Sequence, residues 1–469
     1  MKNLAIIYYV FILAIITCCE NPGKEPLLES PPIVPDPALP QPDPDPEPGP
    51  TPEEAIRLTR DYFKSQLDKE EIELSPSFLY GQKIESDALT EEKQKMWELW
   101  KEANADRLQV SGMAAVTSEH KEVIWDIPLE ERMKIILFTK GSKPQQGYPL
   151  FINLHGGGRA TVTEPWGSTL NTLAWESEIS RSQKYEDAPS LYFVPRMADD
   201  RIGRWYLLPQ RSAFRKAFQL GVLSGYVDPN RVYVLGTSEG GYGSHRLALF
   251  MPDYFAGAGP MAAAEPLKAA ESLRNIAFGI EVGENDRQFR RSEFARLWKE
   301  KLEQLHNKSP SDFINRVEIQ PDKGHSNIDF TKMTPWLSQY SRRSYPEHIS
   351  YLYYNMTADY ARESYSQGVY YLDFRKLKHT PGASMLFDLK REGNAIHLTS
   401  NQVSGVKIWG ELGIYIDKMD LTRPVVVYHN GKKIFEKTID LNKGVIAESI
   451  ALWGDPERIY GAKIKMLIF

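Results

Sequence analysis

Between residues 149 and 341 short apolar runs alternate with helical stretches, and no other feature of this chain restricts its fold as much. Residues 149–154, 191–194, 231–235, 254–258, 276–282 and 316–320 read as strands. Residues 213–224, 239–250, 288–305 and 333–341 read as helices. Apolar runs this short, without polar alternation, suit strands buried on both faces, and strands joined through helices run parallel. Residues 122–127 and 133–138 add a strand pair joined by a tight turn. The expectation is an α/β chain with a mostly parallel, doubly wound sheet. Side chains that do chemistry should then gather at the carboxyl ends of its strands.

The sharpest motif lies at one of those ends. Gly236-Thr237-Ser238-Glu239-Gly240-Gly241 follows the strand 231–235 and opens the helix 239–250. A nucleophile on such a turn needs small residues two before and two after it, so that backbones can approach. The free N–H groups of the helix start then face developing negative charge. Ser238 is the candidate nucleophile. A serine hydroxyl needs a base within hydrogen-bond reach. Of the nine histidines, His325 is the candidate, because Pro321-Asp322-Lys323-Gly324-His325 directly follows a strand. The histidine in turn needs an acceptor. Asp286, in Gly283-Glu284-Asn285-Asp286 at the end of strand 276–282, fits best, with Glu284 and Asp322 as rivals. His155-Gly156-Gly157-Gly158 ends the strand 149–154 and offers a close-approaching N–H, placed at Gly157, beside the N–H of Glu239. His155 reads as a brace for the loop. In the stretch 196–206, Trp205 is a candidate for stacking on a substrate ring.

These segments together resemble the α/β-hydrolase superfamily, and within it secreted esterases of the feruloyl and acetylxylan type and polyhydroxybutyrate depolymerases. The resemblance covers roughly residues 120–345 and specifies the superfamily better than the substrate. It implies a serine esterase with the chain order Ser238, Asp286, His325. Gly157 and Glu239 would serve as oxyanion donors, with an acyl-serine intermediate and neither metal nor other cofactor. Glu239 departs from the neutral residue that relatives often carry there. Its carboxylate either lies near the site, disfavouring anionic substrates, or points away.

The ends of the chain carry different signals. Lys2 precedes an apolar run over residues 4–16, followed by Thr17-Cys18-Cys19, the only two cysteines of the 469 residues. That run is shorter than the about 20 residues a bilayer span needs and suits an export signal. It resembles a bacterial lipoprotein processing box, with Cys18 or Cys19 as the acylated residue. This implies export to a Gram-negative envelope, periplasmic or cell-surface, and a membrane partner through the anchor. Past Cys19 no cysteine remains, which excludes internal disulfides, thiolate metal sites and a cysteine nucleophile. Thirteen of the 31 residues from 22 to 52 are proline, and their acids outnumber the single Lys24, so this stretch reads as an extended stalk.

After residue 345 short strands recur at 369–374, 383–389, 395–399, 406–409, 412–416, 425–428, 432–437 and 462–468, with a hairpin turn at Asn430-Gly431. The resulting organisation is a signal at 1–19, a linker at 20–52 and an α/β-hydrolase domain at 53–345. A small all-β, sandwich-like domain at 346–469 completes it. A net charge of −5 argues against nucleic acid as a partner. The partner expected instead is an ester, such as an acylated polysaccharide or oligosaccharide. Two other readings stay open: a peptidase of the prolyl oligopeptidase kind, and a non-catalytic glycan-binding lipoprotein.

Overall fold

Eight strands build the central sheet: β1 Lys121–Ile127, β2 Glu131–Lys140, β3 Tyr148–Leu154, β4 Ser190–Pro195, β5 Val227–Thr237, β6 Gly257–Met261, β7 Ala277–Gly283 and β8 Asn315–Gln320. They are seen in a computed structural model that describes residues 49–469, apart from 130, 359 and 361. The expected signal, Cys18, Cys19 and all of the linker before Gly49 lie outside the described residues. The order across the sheet is 1-2-4-3-5-6-7-8. β2 runs antiparallel to β1 and β4, and every pair from β4 through β8 is parallel. β3, β4, β6 and β7 are buried at every position, which is why their sequences are mostly apolar, Asn153, Ser190 and Glu281 being the buried polar exceptions.

Several boundaries moved. The strand expected at 254–258 is Gly257–Met261, because Pro252–Tyr254 turns as a 3-10 helix first. Nearer the N-terminus, the helices Leu89–Ala103 and Ala105–Ser111 are separated by Asn104, whose buried side chain donates to the Trp100 carbonyl. The last helix of the α/β segment is shorter than expected, Met333–Leu337.

The C-terminal strands form two sheets. Strands 348–353, 384–392, 395–404, 425–429 and 432–437 make one, and 368–369, 372–379, 408–416 and 462–468 the other. Their inner faces meet through Phe374, whose ring lies 5.0–5.7 Å from those of Tyr351, Tyr353 and Phe387. Asn430 and Gly431 both have positive φ, 48° and 80°, as a type I′ hairpin requires. The segment is not all strand: Lys443–Trp453 is a helix, capped by Asn442 and buried from Gly444 to Trp453. The N-terminal helices, expected to belong with the α/β segment, reach this helix. Ser75 donates to the Gly444 carbonyl, and residues 83–84 pair with 441–442. Contacts therefore cross residue 345 from both ends of the chain, and Gly49–Phe469 is one compact unit.

Candidate active site

β5 ends in the turn that carries Ser238. Its φ of 56° and ψ of −113° are unusual for a residue with a side chain, and such backbone costs about 1–3 kcal/mol. The conformation persists because the surroundings fix it. The Ser238 N–H donates to the Met261 carbonyl on β6, and Tyr242 N–H donates to the Ser238 carbonyl. A Cβ on Gly240 would lie 1.9 Å from the Leu154 carbonyl oxygen, so the helix can cross β3 this closely only with glycine there.

The loops after β7 and β8 bring two more side chains to this turn. His325 Nε2 lies 3.0 Å from Ser238 Oγ, and His325 Nδ1 lies 2.6 Å from Asp286 Oδ2. Asp286 is buried, whereas His325 keeps about a third of its side chain exposed. The rival acids lie elsewhere: Glu284 faces Arg296 at 3.9 Å, and Asp322 is exposed. The second oxygen of Asp286 accepts from Arg291 at 2.8 Å.

The glycine loop after β3 is clamped from behind. Asn171 accepts from the Gly158 N–H at 2.9 Å and donates to the Gly158 carbonyl at 2.8 Å. With that N–H occupied, Gly157 is the residue of the loop that lines the cleft beside Ser238. Its φ is 99°, and a Cβ there would lie 2.0 Å from Asn171 Oδ1. Glu239 is the first residue of its helix, so its N–H has no partner within the helix. His155 is sealed inside. Its Nε2 accepts from the Met197 N–H, which leaves Nδ1 to donate to the Gly156 carbonyl. Burial, reinforced by Arg196, pushes its pKa down to about 3, which keeps it a neutral brace.

Trp205 does not face the cleft, contrary to expectation. It is fully buried, donates its indole N–H to the His155 carbonyl at 3.0 Å, and packs edge-on against the His155 ring. A ring sealed in this way supports the glycine loop and cannot stack on a ligand. The cleft, about 620 Å³, is lined instead by Arg204, Tyr206, Tyr242, Phe289 and Tyr360, among others. Phe289 is two-thirds exposed and sits in left-handed backbone, φ 53°. Glu239 turns its carboxylate onto Arg204. Burial pushes its pKa up to about 7, against the pull of Arg204.

Sequence reading passed over Asn171, Arg291 and Tyr242, and met Arg204 only as one residue of the stretch 196–206. Ser168, three residues before Asn171, caps the helix Thr169–Lys184 and was a usable signal. The arginines carried little: Glu239 lies 35 residues beyond Arg204, and of the two partners of Arg291 only Asp286 is near in the chain, Tyr242 lying 49 residues back.

A sheet in the order 1-2-4-3-5-6-7-8 with a serine elbow after the fifth strand, an acid after the seventh and a histidine after the eighth is the α/β-hydrolase fold. No family model matches the chain, and no curated protein matches it. Among solved structures it is similar to a thermostable esterase, at 19% identity over 48% of this chain and 63% of that one, with a TM-score of 0.37. A ferulic acid esterase is 16% identical over 48% of this chain and 96% of its own, TM-score 0.31. Porphyromonas gingivalis dipeptidyl peptidase 4 is 15% identical over 48% of this chain and 36% of its own, TM-score 0.34. This chain thus spans less than two thirds of the thermostable esterase and of the peptidase.

Proposed function

We propose that the protein is a serine hydrolase that cleaves carboxylic esters through an acyl-serine intermediate. One observation carries the reading: the hydrogen-bonded run from Ser238 through His325 to Asp286, at 3.0 and 2.6 Å, on an elbow at the mouth of a cleft. In this mechanism His325 Nε2 takes the Ser238 proton as Oγ attacks the ester carbonyl. Asp286 holds the Nδ1–H and offsets the charge of the imidazolium. The N–H groups of Gly157 and Glu239 receive the oxyanion. His325 then protonates the departing alcohol. Water then attacks the acyl-serine as His325 Nε2 takes its proton, and His325 returns that proton to Ser238 Oγ as the carboxylic acid is released.

The alcohol or acid side belongs to a carbohydrate, as an acetyl or feruloyl ester on a plant-type polysaccharide or an oligosaccharide. Support comes from the mixture of aromatic and charged walls in the cleft, and from the export signal and stalk read in the sequence. Acylation of Cys18 or Cys19 would hold the enzyme in a Gram-negative envelope, periplasmic or at the surface, with the linker as a spacer.

The test is hydrolysis of short-chain nitrophenyl esters by a soluble version beginning at Thr51, alongside Ser238→Ala with folding checked by circular dichroism. Activity confined to the wild type is the expected result and leads to acetylated and feruloylated glycans as the next substrates. Labelling of Ser238 by a fluorophosphonate with cleavage of prolyl nitroanilides, and not of esters, would make it a peptidase. No labelling at all would make it a non-catalytic binder.

A further inference from the structure

Asp286 is shared. One carboxylate oxygen accepts from His325 and the other from Arg291 Nη1 at 2.8 Å. Arg291 opens the helix Arg291–Lys308, and its side chain is 5% exposed, so this is a buried cation on the acid rather than a surface pair. Its Nε donates to the Tyr242 hydroxyl at 2.8 Å. Tyr242 stands one helical turn past Ser238 on the elbow helix. The loop after β7 and the helix after β5 are thus joined by a single guanidinium, with fixed fork geometry that a lysine lacks. Two successive left-handed residues, Phe289 at φ 53° and Arg290 at φ 61°, turn the chain back so that Arg291 reaches Asp286. Ser292 N–H also donates to the Asp286 carbonyl, which closes the loop. The Phe289 ring then lies 5.0 Å from the guanidinium, on its cleft side.

We propose that Arg291 is a positioning residue for the hydrolysis, holding Asp286 in register with the Ser238 helix while limiting how strongly that acid favours a charged His325. This rests on the reading of Ser238, His325 and Asp286 as the reacting set. The two effects have different origins. Orientation depends on the bridge from Asp286 to Tyr242. Basicity depends on the charge, since protonating His325 places a second cation on a carboxylate that already holds one. Other charged groups on the neighbouring loops and around the cleft stay in place when Arg291 is altered. These are Glu284 with Arg296 on the β7 side, Asp322 and Lys323 ahead of His325, and Glu239 with Arg204 and Glu265 with Arg246 across the cleft.

The experiment is the pH dependence of fluorophosphonate labelling of Ser238 in the full-length protein, for the wild type, Arg291→Met, Arg291→Lys and Tyr242→Phe. Labelling needs an activated serine but no knowledge of the substrate. Arg291→Met should slow the plateau rate by about tenfold to a hundredfold, as expected for a misplaced reacting group. It should also move the acid limb of the profile upward by about half to one pH unit. Arg291→Lys should restore the limb but not the rate, and Tyr242→Phe should lower the rate with the limb unmoved. A slow Arg291→Met whose limb stays put would overturn the electrostatic half and leave a merely structural arginine. Rates within twofold of wild type would overturn the whole inference. Should Arg291→Met not fold, a Tyr242→Phe rate equal to wild type overturns the bridge by itself. A wild type that is never labelled would refute the underlying serine hydrolase reading, an outcome distinct from all of these.

Discussion

Arg342 donates a 2.6 Å hydrogen bond to Asp455, and neither side chain is more than 1% exposed. The pair joins the segment that follows the central sheet to the turn after the C-terminal helix. Arg458 donates to the same Asp455 oxygen at 2.6 Å and also pairs with Asp253. Burial alone would raise the Asp455 pKa, but Arg342 and Arg458 hold it below the usual carboxylate range. Removing one member of such a buried set leaves uncompensated charge, so Asp455→Asn should cost about 3–5 kcal/mol in urea unfolding at pH 7. A depressed pKa gives stability that is complete above the unfolded value and lost as pH falls through the folded one. The penalty of Asp455→Asn should therefore shrink below about pH 4, and a penalty independent of pH would contradict the assignment.

Trp205 gives a prediction opposite to the one its sequence context suggests. If it stacked on substrate, its loss would raise KM for ring-bearing esters and spare small ones. Because it instead holds the His155 carbonyl and fills the space against Gly243, its loss should affect every substrate alike. Trp205→Phe keeps most of the packing and should lower kcat for acetyl and aryl esters by the same factor. Trp205→Ala should also cost about 3–5 kcal/mol of stability. A substrate-selective rise in KM would return Trp205 to the cleft.

That contrast shows where the sequence is legible. Ser238, Asp286 and His325 could be read because each follows a strand, and parallel strands bring their carboxyl ends to one edge, even though the last strand, Asn315–Gln320, is mostly half-buried. Trp205 could not, since a tryptophan among charged residues looks the same whether it lines a cleft or fills a gap beside Gly243. The helix Thr169–Lys184 escaped notice because its buried positions include Asn171, Glu178 and Ser182 beside Trp175, which leaves no apolar stripe. Lys443–Trp453 escaped for the opposite reason. It is buried on every side, so its apolar run has no helical period, and only Asn442 before it and Gly454 after it marked its ends.

Glu239 ties stability to pH near neutrality. Its pKa is pushed up from 4.5 to about 7, so the folded protein keeps a proton that the unfolded chain releases across that window. Stability conferred by a raised pKa is present at low pH and lost as pH climbs through the folded value. Wild-type stability relative to Glu239→Gln should accordingly fall by on the order of 3 kcal/mol between pH 4.5 and pH 7. Urea midpoints of both proteins at pH 5, 6, 7 and 8 would show it. Parallel curves would mean that Arg204 keeps Glu239 ionised throughout.

Gly157→Ala separates the glycine loop's shape from its chemistry. A methyl group there would meet Asn171 Oδ1 at 2.0 Å, at a φ of 99° that alanine resists, so the loop must move. If the Gly157 N–H holds the oxyanion, the displaced donor should cost about 10²–10³ in kcat, as losing one such donor does. Substrate binding at the far wall, formed by Tyr206 and Tyr360, should be little changed, so KM should stay within a few fold. Asn171→Ala removes the obstacle and the clamp together. Combined with Gly157→Ala, it should restore stability without restoring kcat, because nothing then holds the N–H toward Ser238. Recovery of kcat in the double variant would show that the clash alone, and not the placement of the donor, had slowed the single one.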